Sequence, residues 1–446
     1  MRSDNLEAST IFALSSAPGR SAIAVIRISG PGVLRALQAL GVRDLKPRLA
    51  SFRRLMAPHT NHPLDNALVL YFRAPHSATG EDVAELHVHG GRAVVAAVVD
   101  ALARLPGLTP AEPGAFARRA FANGKLDLTS AEGLADLIDA ETEAQRRQAL
   151  AQASGELGRL YAGWRDDLVE AMALVEAAID FSDEGDIGGE TFERGRERVS
   201  RLACQLSAHL SDGRRGEILR DGFRIVLAGP VNAGKSTLLN WLAQRDVAIT
   251  SEEAGTTRDV IEVRLDLGGF PVIVADTAGL RETESPIERE GMRRSKAQIA
   301  AADLVLWLVP SDGTEPGSSG ADVPDHSVEL WKVQTKADLA PDQSRSVDAI
   351  SVKTGVGLEA LMQRLLAAVR ARVGERGEPV ITQSRHRALV TSAHHHLERF
   401  LLKDPTVAEL AAEDLRLAAS DLGRLTGAVD PEEVLGAIFG RFCIGK

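Results

Sequence analysis

One octapeptide constrains this chain more than any other stretch: Gly229-Pro230-Val231-Asn232-Ala233-Gly234-Lys235-Ser236, directly behind the run Arg224-Ile225-Val226-Leu227-Ala228. The order is strand, glycine-rich turn and helix start, with a lysine and a hydroxyl in phosphate-loop register. In that geometry successive backbone N–H groups point inward and cradle phosphate oxygens at a helix N-terminus. The spacing predicts that Asn232, Ala233, Gly234, Lys235, Ser236 and Thr237 hold a nucleotide. Lys235 would reach the outer phosphates and Ser236 would offer an oxygen to magnesium. Taken alone, the octapeptide also reads as an ordinary strand-to-helix turn.

Three strings further along narrow that choice. Gly255-Thr256-Thr257-Arg258-Asp259 offers a switch threonine, Thr257, to complete the magnesium shell and sense the last phosphate. Asp276-Thr277-Ala278-Gly279 ends the predicted strand Pro271-Val272-Ile273-Val274-Ala275. Its aspartate can hold magnesium through water, and its glycine lets a backbone N–H approach the terminal phosphate. Thr335-Lys336-Ala337-Asp338 follows a strand around Val333. A carboxylate there accepts two hydrogen bonds from guanine, and adenine lacks that donor pair. In this order the motifs predict a domain that binds and hydrolyses a guanine nucleotide. Leu280, after Gly279, has no polar atom with which to orient water, whereas many small GTPases carry glutamine there. Glu282, Glu284, Glu288 and Glu290 are the nearby candidates, and the competing reading makes them a solvated loop. A cationic partner for the transition state is also needed, either an arginine or a metal ion.

The 446 residues predict about three domains. Apolar content of 44% and charged content of 26% are those of a globular chain with ample core. No run approaches the length needed to cross a bilayer, and the start MRSDNLEAST does not read as a secretory signal. Cys204 and Cys443 lie far apart, which fits a reducing cytoplasm better than a disulfide framework. A net charge of −10 gives no help to nucleic-acid binding, so RNA contact would need a local basic patch.

Residues 1–120 read as an α+β domain with strands at Ile23–Ile28, Leu68–Phe72 and Val83–Val88 and a helix near Ala93–Leu105. Thr129-Ser130-Ala131-Glu132 reads as a capping box opening a long helical region toward Leu219, interrupted at Asp183–Gly189. Residues 121–217 and 373–446 then form one helical domain in two segments. The α/β nucleotide domain, residues 218–372, is inserted between them, which close domain termini make feasible. Glu315–Asp325 reads as a polar loop, and Trp241, Trp307 and Trp331 as core residues of the nucleotide domain. The fold class expected is therefore α/β plus all-α. His87 and His89 alternate on one strand face with Glu85; packing is the preferred reading over a metal cluster. His394-His395-His396 reads as a solvated helix face.

Beyond these readings, the whole chain resembles the MnmE or TrmE family of tRNA-modification GTPases. The resemblance is carried by Ala17-Pro18-Gly19-Arg20, Arg27-Ile28-Ser29-Gly30-Pro31, Thr79-Gly80-Glu81-Asp82-Val83-Ala84-Glu85-Leu86 and Pro113-Gly114-Ala115-Phe116. It continues in Arg119-Ala120-Phe121, Asn123-Gly124-Lys125-Leu126-Asp127-Leu128 and the ending Phe442-Cys443-Ile444-Gly445-Lys446. It implies an N-terminal domain that dimerises and binds a tetrahydrofolate derivative through Arg27, Glu85, Lys125 and Lys446. Basic groups suit the glutamate tail, and a carboxylate can pair with the pterin's guanidine-like edge. On their own these four read equally as structural charges, and Cys443 as either a functional thiol near the folate or an inert one.

For the nucleotide domain the resemblance implies Ras-like architecture and a potassium-stimulated GTPase activated by pairing of nucleotide domains. Asn232, Ser251, Glu253 (through its backbone) and Thr256 match the potassium positions, Ser236 and Thr257 the magnesium positions, and Glu288 the water-orienting glutamate. Ser351-Val352-Lys353 matches the second base-contacting loop, with Val352 where a small alanine is usual. Thr335 stands where the family pattern has asparagine, which predicts weaker guanine contact, while Asp338 keeps the preference. The implied function is installation of an aminomethyl or carboxymethylaminomethyl group on the wobble uridine of certain tRNAs. The homodimer would act with the flavoprotein MnmG in a heterotetramer, with no membrane. A GTP-driven ribosome-assembly switch is the main rival, and it leaves the N-terminal motifs and the ending unexplained. A folate-dependent methyltransferase acting alone is the third reading; activity without any flavoprotein would favour it.

Overall fold

The computed structural model describes residues 9–58, 60–180, 186–230, 232–245, 247–249, 262–276, 297–311, 328–339, 349–374, 379–404, 407–429 and 432–445. Two compact units divide the chain: residues 1–135, 152–172 and 415–446, and residues 136–151 and 173–414.

Period-two alternation builds the sheet of the first unit. Its strands are β1 (Thr10–Leu14), β2 (Ile23–Ser29), β3 (Ser51–Met56), β4 (Pro63–Phe72), β5 (Val83–His89) and β6 (Leu108–Pro110). They lie in the order β3-β4-β5-β2-β1-β6. All pairs are antiparallel except β1 with β6. Ala24, Ile26 and Ile28 of β2 and Ala84, Leu86 and Val88 of β5 are buried, so one face of the sheet is core. Helices α1 (Val33–Ala39) and α2 (Arg92–Ala103) close that face with Val33, Ala36, Leu37, Val98, Ala101 and Leu102. The alternate positions, Arg27 and Glu85 among them, stand on the other face. β1, β3 and β6 were not anticipated. β3, Ser-Phe-Arg-Arg-Leu-Met, is an edge strand with only Leu55 buried, and β6 is three residues ending in proline, so neither shows a core pattern.

The helices that follow are α3 (Ala115–Ala122), α4 (Leu128–Ile138), α5 (Glu143–Ala153), α6 (Glu156–Asp180), α7 (Asp186–Leu210) and α8 (Arg215–Asp221). The expected capping box is not what starts α4. Asp127 caps it, accepting from Thr129 Oγ1 at 2.6 Å, Ser130 N at 2.8 Å and Ser130 Oγ at 2.9 Å. A carboxylate answers both the free N–H groups and the positive end of the helix dipole, so it displaces the hydroxyl as cap. Nor is the following helical region continuous. It turns at residues 139–142, where Gln145 Oε1 accepts from the N–H groups of Glu141 and Thr142, and again at Gly155, in the left-handed region at φ +81°.

In the second unit β7 (Phe223–Ala228), β8 (Glu262–Leu267), β9 (Phe270–Asp276), β10 (Leu304–Pro310) and β11 (Glu329–Thr335) form a sheet ordered β11-β10-β7-β9-β8. β8 is antiparallel and the others run parallel. β7 reads as a continuous apolar run because both its faces are buried, Ile225 and Leu227 on one and Val226 and Ala228 on the other. α9 (Lys235–Ala243) and α10 (Leu358–Val373) supply Leu238, Leu239, Leu242, Leu358, Leu361 and Leu365 to that core, with Trp241 and Trp331 packed on its margin. The strand order reverses at β7. In such sheets ligands bind outside the C-terminal strand ends at the switch point.

α7 packs against α11 (Ser384–Leu402), with the rings of Phe192 and Phe400 5.9 Å apart. Where α7 gives way to α8, Arg387 of α11 donates to Asp212 at 2.7 Å, to Glu217 at 3.2 Å and to the Leu210 carbonyl at 3.0 Å. The His394–His396 face is not uniformly solvated: His394 and His396 are half-buried, and only His395 is exposed. The chain ends with α12 (Ala408–Thr426) and α13 (Glu432–Phe439). Among the described residues no helix is long and apolar enough to cross a membrane.

Candidate nucleotide site and N-terminal sheet site

The phosphate loop leaves the C-terminal end of β7, the central strand of its sheet. Gly229 sits at φ +139°, and a Cβ there would press into the Leu308 carbonyl of β10. The loop needs glycine at that point for both conformation and space. Asn232 at φ +63° and Gly234 at φ +90° complete the turn into α9. Lys235, the first helical residue, folds back over the loop and donates from Nζ to the carbonyls of Gly229 at 2.8 Å and Pro230 at 2.9 Å. Burial pushes its ammonium pKa down and the carboxylate of Asp276 opposes that shift. The cation is therefore held poorly solvated beside the cradle.

Ser236 Oγ donates to Asp276 Oδ2 at 2.7 Å. The two side chains come from α9 and from the end of β9, and Asp276 is only 5% exposed. A hydroxyl and a carboxylate at this separation form the hard-oxygen donor set that magnesium prefers. On the other side of the loop, Thr335 Oγ1 donates to the Ala233 carbonyl at 2.6 Å. One residue on, Lys336 adopts φ +57°, and a 3₁₀ turn over Ala337–Leu339 presents Asp338. Ser351 Oγ donates to Asp338 Oδ1 at 2.7 Å and holds its carboxyl below the usual range, an effect to which nearby Lys353 adds. Ala337 N donates to Ile350 O at 3.0 Å, so the two base-side loops are stitched together through their backbones. Val352 turns inward against the core, leaving its backbone for any ligand contact. Thus the P-loop residues, Asp276, Lys336, Asp338 and Ser351–Lys353 gather at one end of the parallel sheet. Ser251, Glu253, Thr256, Thr257, Thr277, Ala278, Gly279, Leu280, Glu282, Glu284, Glu288 and Glu290 lie outside the described residues, as do Glu315–Asp325.

In the N-terminal sheet Arg27 and Glu85 are direct cross-strand partners. Arg27 Nε and Nη2 both donate to Glu85 Oε1, at 3.1 and 2.9 Å. Phe116 of α3 stacks its ring 5.7 Å from the guanidinium. His87, on the same face, brings Nε2 to 3.5 Å from Glu85 Oε2. That nitrogen is buried and makes no hydrogen bond among the described residues. His89 is drawn off to Asp65 at 2.8 Å. No group of three or more metal-ligating residues exists among the described residues.

Lys125 lines a cleft of about 590 Å³ with Phe121, Asp127, Ser130 and Arg159. Its stem packs on Gly80, where no side chain intervenes. The ending of the chain lies against β1: Ser15 Oγ donates to Gly445 O at 2.9 Å, and Pro113 bridges Ile444. Cys443 is exposed and free, and Lys446 lies outside the described residues.

Sequence reasoning passed over three features. Arg119 donates to Glu81 Oε2 at 2.9 Å, and Ser29 donates to the same oxygen at 2.7 Å, welding α3 to the sheet. Arg159 enters the Lys125 cleft from α6. Thr335 touches the phosphate loop. Each pairing joins residues too distant in sequence for spacing to reveal, although Arg119 and Glu81 both fall within quoted motifs.

A family model described as the N-terminus of the GTP-binding protein TrmE matches residues 10–125, and one for the MnmE helical domain matches residues 128–443. The tRNA modification GTPase MnmE of Methylobacterium sp. (strain 4-46) is 54% identical over 444 residues, spanning 98% of this chain and 99% of its own. Its counterparts from Parvibaculum lavamentivorans and Caulobacter vibrioides are 53% and 52% identical, over 98% of this chain and 100% and 99% of theirs. Near full-length identity of this order, over a phosphate loop accompanied by the Ser236–Asp276 and Ser351–Asp338 pairs, leads to one conclusion: the chain belongs to the MnmE family of tRNA-modification GTPases and is a GTP hydrolase acting in tRNA modification.

Proposed function

We propose that this enzyme, as a homodimer in the cytoplasm, hydrolyses GTP to GDP and phosphate with potassium stimulation. With the flavoprotein MnmG it adds an aminomethyl or carboxymethylaminomethyl group at C5 of the wobble uridine of certain tRNAs. The one-carbon unit comes from methylenetetrahydrofolate and the nitrogen from ammonium or glycine. The observation that carries the nucleotide half is the convergence of the Ser236–Asp276 and Asp338–Ser351 pairs on one phosphate loop. Magnesium fits that donor set: Ser236 and Asp276 would hold it, with Thr257 completing the shell. Bound there, the ion would spread the charge that develops on the transferred phosphoryl group.

Lys235 gives up its hold on the loop carbonyls to meet phosphate oxygens. Asp338, kept ionised by Ser351, pairs with guanine. Asn232 offers a neutral amide oxygen of the type an alkali ion accepts, and Ser251, Glu253 and Thr256 complete the proposed potassium site. Glu288 orients water in place of the missing glutamine. In the N-terminal sheet, Glu85 Oε2 and the orphaned Nε2 of His87 fit a ligand edge carrying both a donor and an acceptor, such as a pterin. Lys125 and Lys446 supply positive charge for the folate tail. GTP hydrolysis opens and closes the nucleotide domains and leaves the carbon chemistry to the folate and the flavoprotein. The test is mass analysis of wobble nucleosides in a strain lacking this gene. Loss of the modified uridine, restored by the wild-type chain and not by Arg27→Ala, is the expected result; unaltered nucleosides in the deletion strain would discard the assignment.

A further inference from the structure

The chain carries a net charge of −10, yet residues 43–73 hold six Lys or Arg against two Asp. That stretch contains the edge strand β3. Asp65, one of the two acids, is already engaged by His89. Arg48 donates to the His76 carbonyl at 2.8 Å, Arg53 to the Phe52 carbonyl at 3.0 Å and Arg54 to the side-chain oxygen of Asn66 at 3.3 Å. These neutral oxygens leave three guanidinium charges uncancelled, whereas Arg27, Arg119, Arg220, Arg224 and Arg387 each meet a carboxylate. Among the cations stands Phe52, 69% exposed and, of the described residues, the one Phe, Tyr or Trp that is exposed. Charges on a sheet edge serve to repel another strand. An uncovered ring works against that purpose, so edge protection does not account for it.

Register fixes where the ring sits. Phe52 pairs with Leu68 of β4, and Leu68 with His87 of β5. Side chains alternate, so Phe52 and Arg54, flanking positions to buried Leu55, share the sheet face that carries Arg27, Glu85 and His87. Arg48 lays its guanidinium 5.9 Å from the ring of Phe72, on the same face. Two strand spacings of about 4.8 Å put Phe52 about 10 Å from His87.

We propose that this corner of the sheet is an RNA interface. Phe52 stacks a base of a single-stranded loop of the tRNA substrate, and Arg48, Arg53 and Arg54 hold the phosphates on either side. Unpaired loops are where RNA offers bases for stacking on aromatic rings, and guanidinium groups match phosphate. On an otherwise acidic chain the patch also orients the approach of a polyanion. A loop held there has its neighbouring nucleotides within reach of the Arg27–Glu85 site. The inference rests on the reading that this enzyme handles the wobble uridine of tRNA itself.

The test uses the full-length protein and a fluorescent anticodon stem-loop RNA with an unmodified wobble uridine, followed by anisotropy between about 50 and 200 mM KCl. Phe52→Leu keeps an apolar side chain without a ring and should weaken binding about tenfold, while Phe52→Tyr should stay within about twofold of wild type. Arg48→Gln, Arg53→Gln and Arg54→Gln combined should lower the slope of log affinity against log salt by about 2, at about 0.7 per phosphate contact on a single strand. GTP turnover without RNA should not change in either variant. Wild-type affinity in Phe52→Leu overturns the proposal, and so does an unchanged salt slope in the arginine variant or an absence of stem-loop binding by wild type at low salt. An equal loss by Phe52→Leu on a fully paired RNA would show that no loop base stacks there, which also overturns it. If the variants lose self-association on size exclusion while RNA affinity holds, the face joins two copies of the chain and the proposal fails. Should Phe52→Leu misfold by circular dichroism, the salt slope of the arginine variant decides. Wobble uridine that stays modified in the deletion strain, together with RNA binding lost in these variants, would discard the modification reading and leave the RNA interface standing.

Discussion

Adding a single methyl group at Gly229 should dismantle the nucleotide site. Gly229→Ala meets two obstacles. The first is backbone conformation: φ +139° lies in a region that L-residues with a side chain avoid, at a cost of about 1–3 kcal/mol. The second is space: the new Cβ would fall inside 3.0 Å of the Leu308 carbonyl oxygen, on a strand that cannot yield without disturbing the β7–β10 ladder. Overpacking of this kind costs about 1–3 kcal/mol. The sum, about 4 kcal/mol, is a large fraction of the 5–15 kcal/mol that holds a typical domain together. If the loop relieves the strain by moving, the Lys235–carbonyl geometry and the cradle move with it. The assay is thermal unfolding followed by circular dichroism, with and without GDP at about a hundredfold over its Kd. Wild type should gain about 2.7 kcal/mol from the ligand. The variant should melt roughly 8–15 °C lower, at about 2–4 °C per kcal/mol, and show no GDP-dependent rise. A variant that melts within about 2 °C of wild type and keeps its GDP response would refute the reasoning, since neither strain nor crowding at Gly229 could then be real.

Four other outcomes are expected. His209 of α7 has its pKa lowered to about 4, chiefly by burial, with the Asp212 carboxylate opposing the shift and the charges of Arg387 and His386 adding to it. The folded state therefore refuses a proton that the unfolded chain accepts near pH 6.5, and stability contributed by neutral His209 is present above that pH and lost as pH falls toward 4. His209→Gln should shrink the stability loss between pH 6.5 and 4.5 by about 2 kcal/mol in urea titrations; an unchanged pH dependence would rule the residue out. Arg387→Ala strips Asp212 and Glu217, 4% and 6% exposed side chains, of their shared cation. Glu217 keeps Arg214 at 2.9 Å, so the loss should be about 3 kcal/mol by denaturant unfolding, and a loss below about 1 kcal/mol would show Asp212 finding water instead. Glu288→Ala should lower GTP turnover by at least about a hundredfold while GDP still binds, and sodium in place of potassium should slow the wild type; near-normal rates in either experiment would remove that group from the mechanism.

Much of the nucleotide site was legible because its parts are local. A phosphate loop is a strand, a turn and a helix start within thirteen residues, and Gly229, Lys235 and Ser236 can be read from spacing alone. Asp338 announces itself in the same way. The α/β alternation around it was visible too, since β7 and β9 are short apolar runs bounded by turns. What failed were features whose signal is weak or shared. β3 is an edge strand with a single buried side chain, so no alternation marks it. The α4 cap was misplaced because Asp127 and Thr129 are both good cap residues, and only the folded backbone shows which oxygen faces the free N–H groups. The helical region was read without a break before Asp183 because residues 139–142 hold neither glycine nor proline to mark the turn.

From its sequence alone the chain fixes its local chemistry: a glycine-rich turn between strand and helix, the carboxylate of the Thr335–Asp338 string, alternating strands that put Arg27 and Glu85 on one face, and the motifs that mark its family. Tertiary structure alone decides which distant side chains complete one another. It brings Ser236 to Asp276, Thr335 to Ala233 and Ser351 to Asp338, places Lys125 in a cleft with Arg159, and lays the last residues of the chain along β1. The reason is physical. Backbone conformation is set by neighbours a few residues away, whereas a hydrogen bond depends on atoms within about 3 Å in space, and only the packing of helices on a sheet determines which atoms those are.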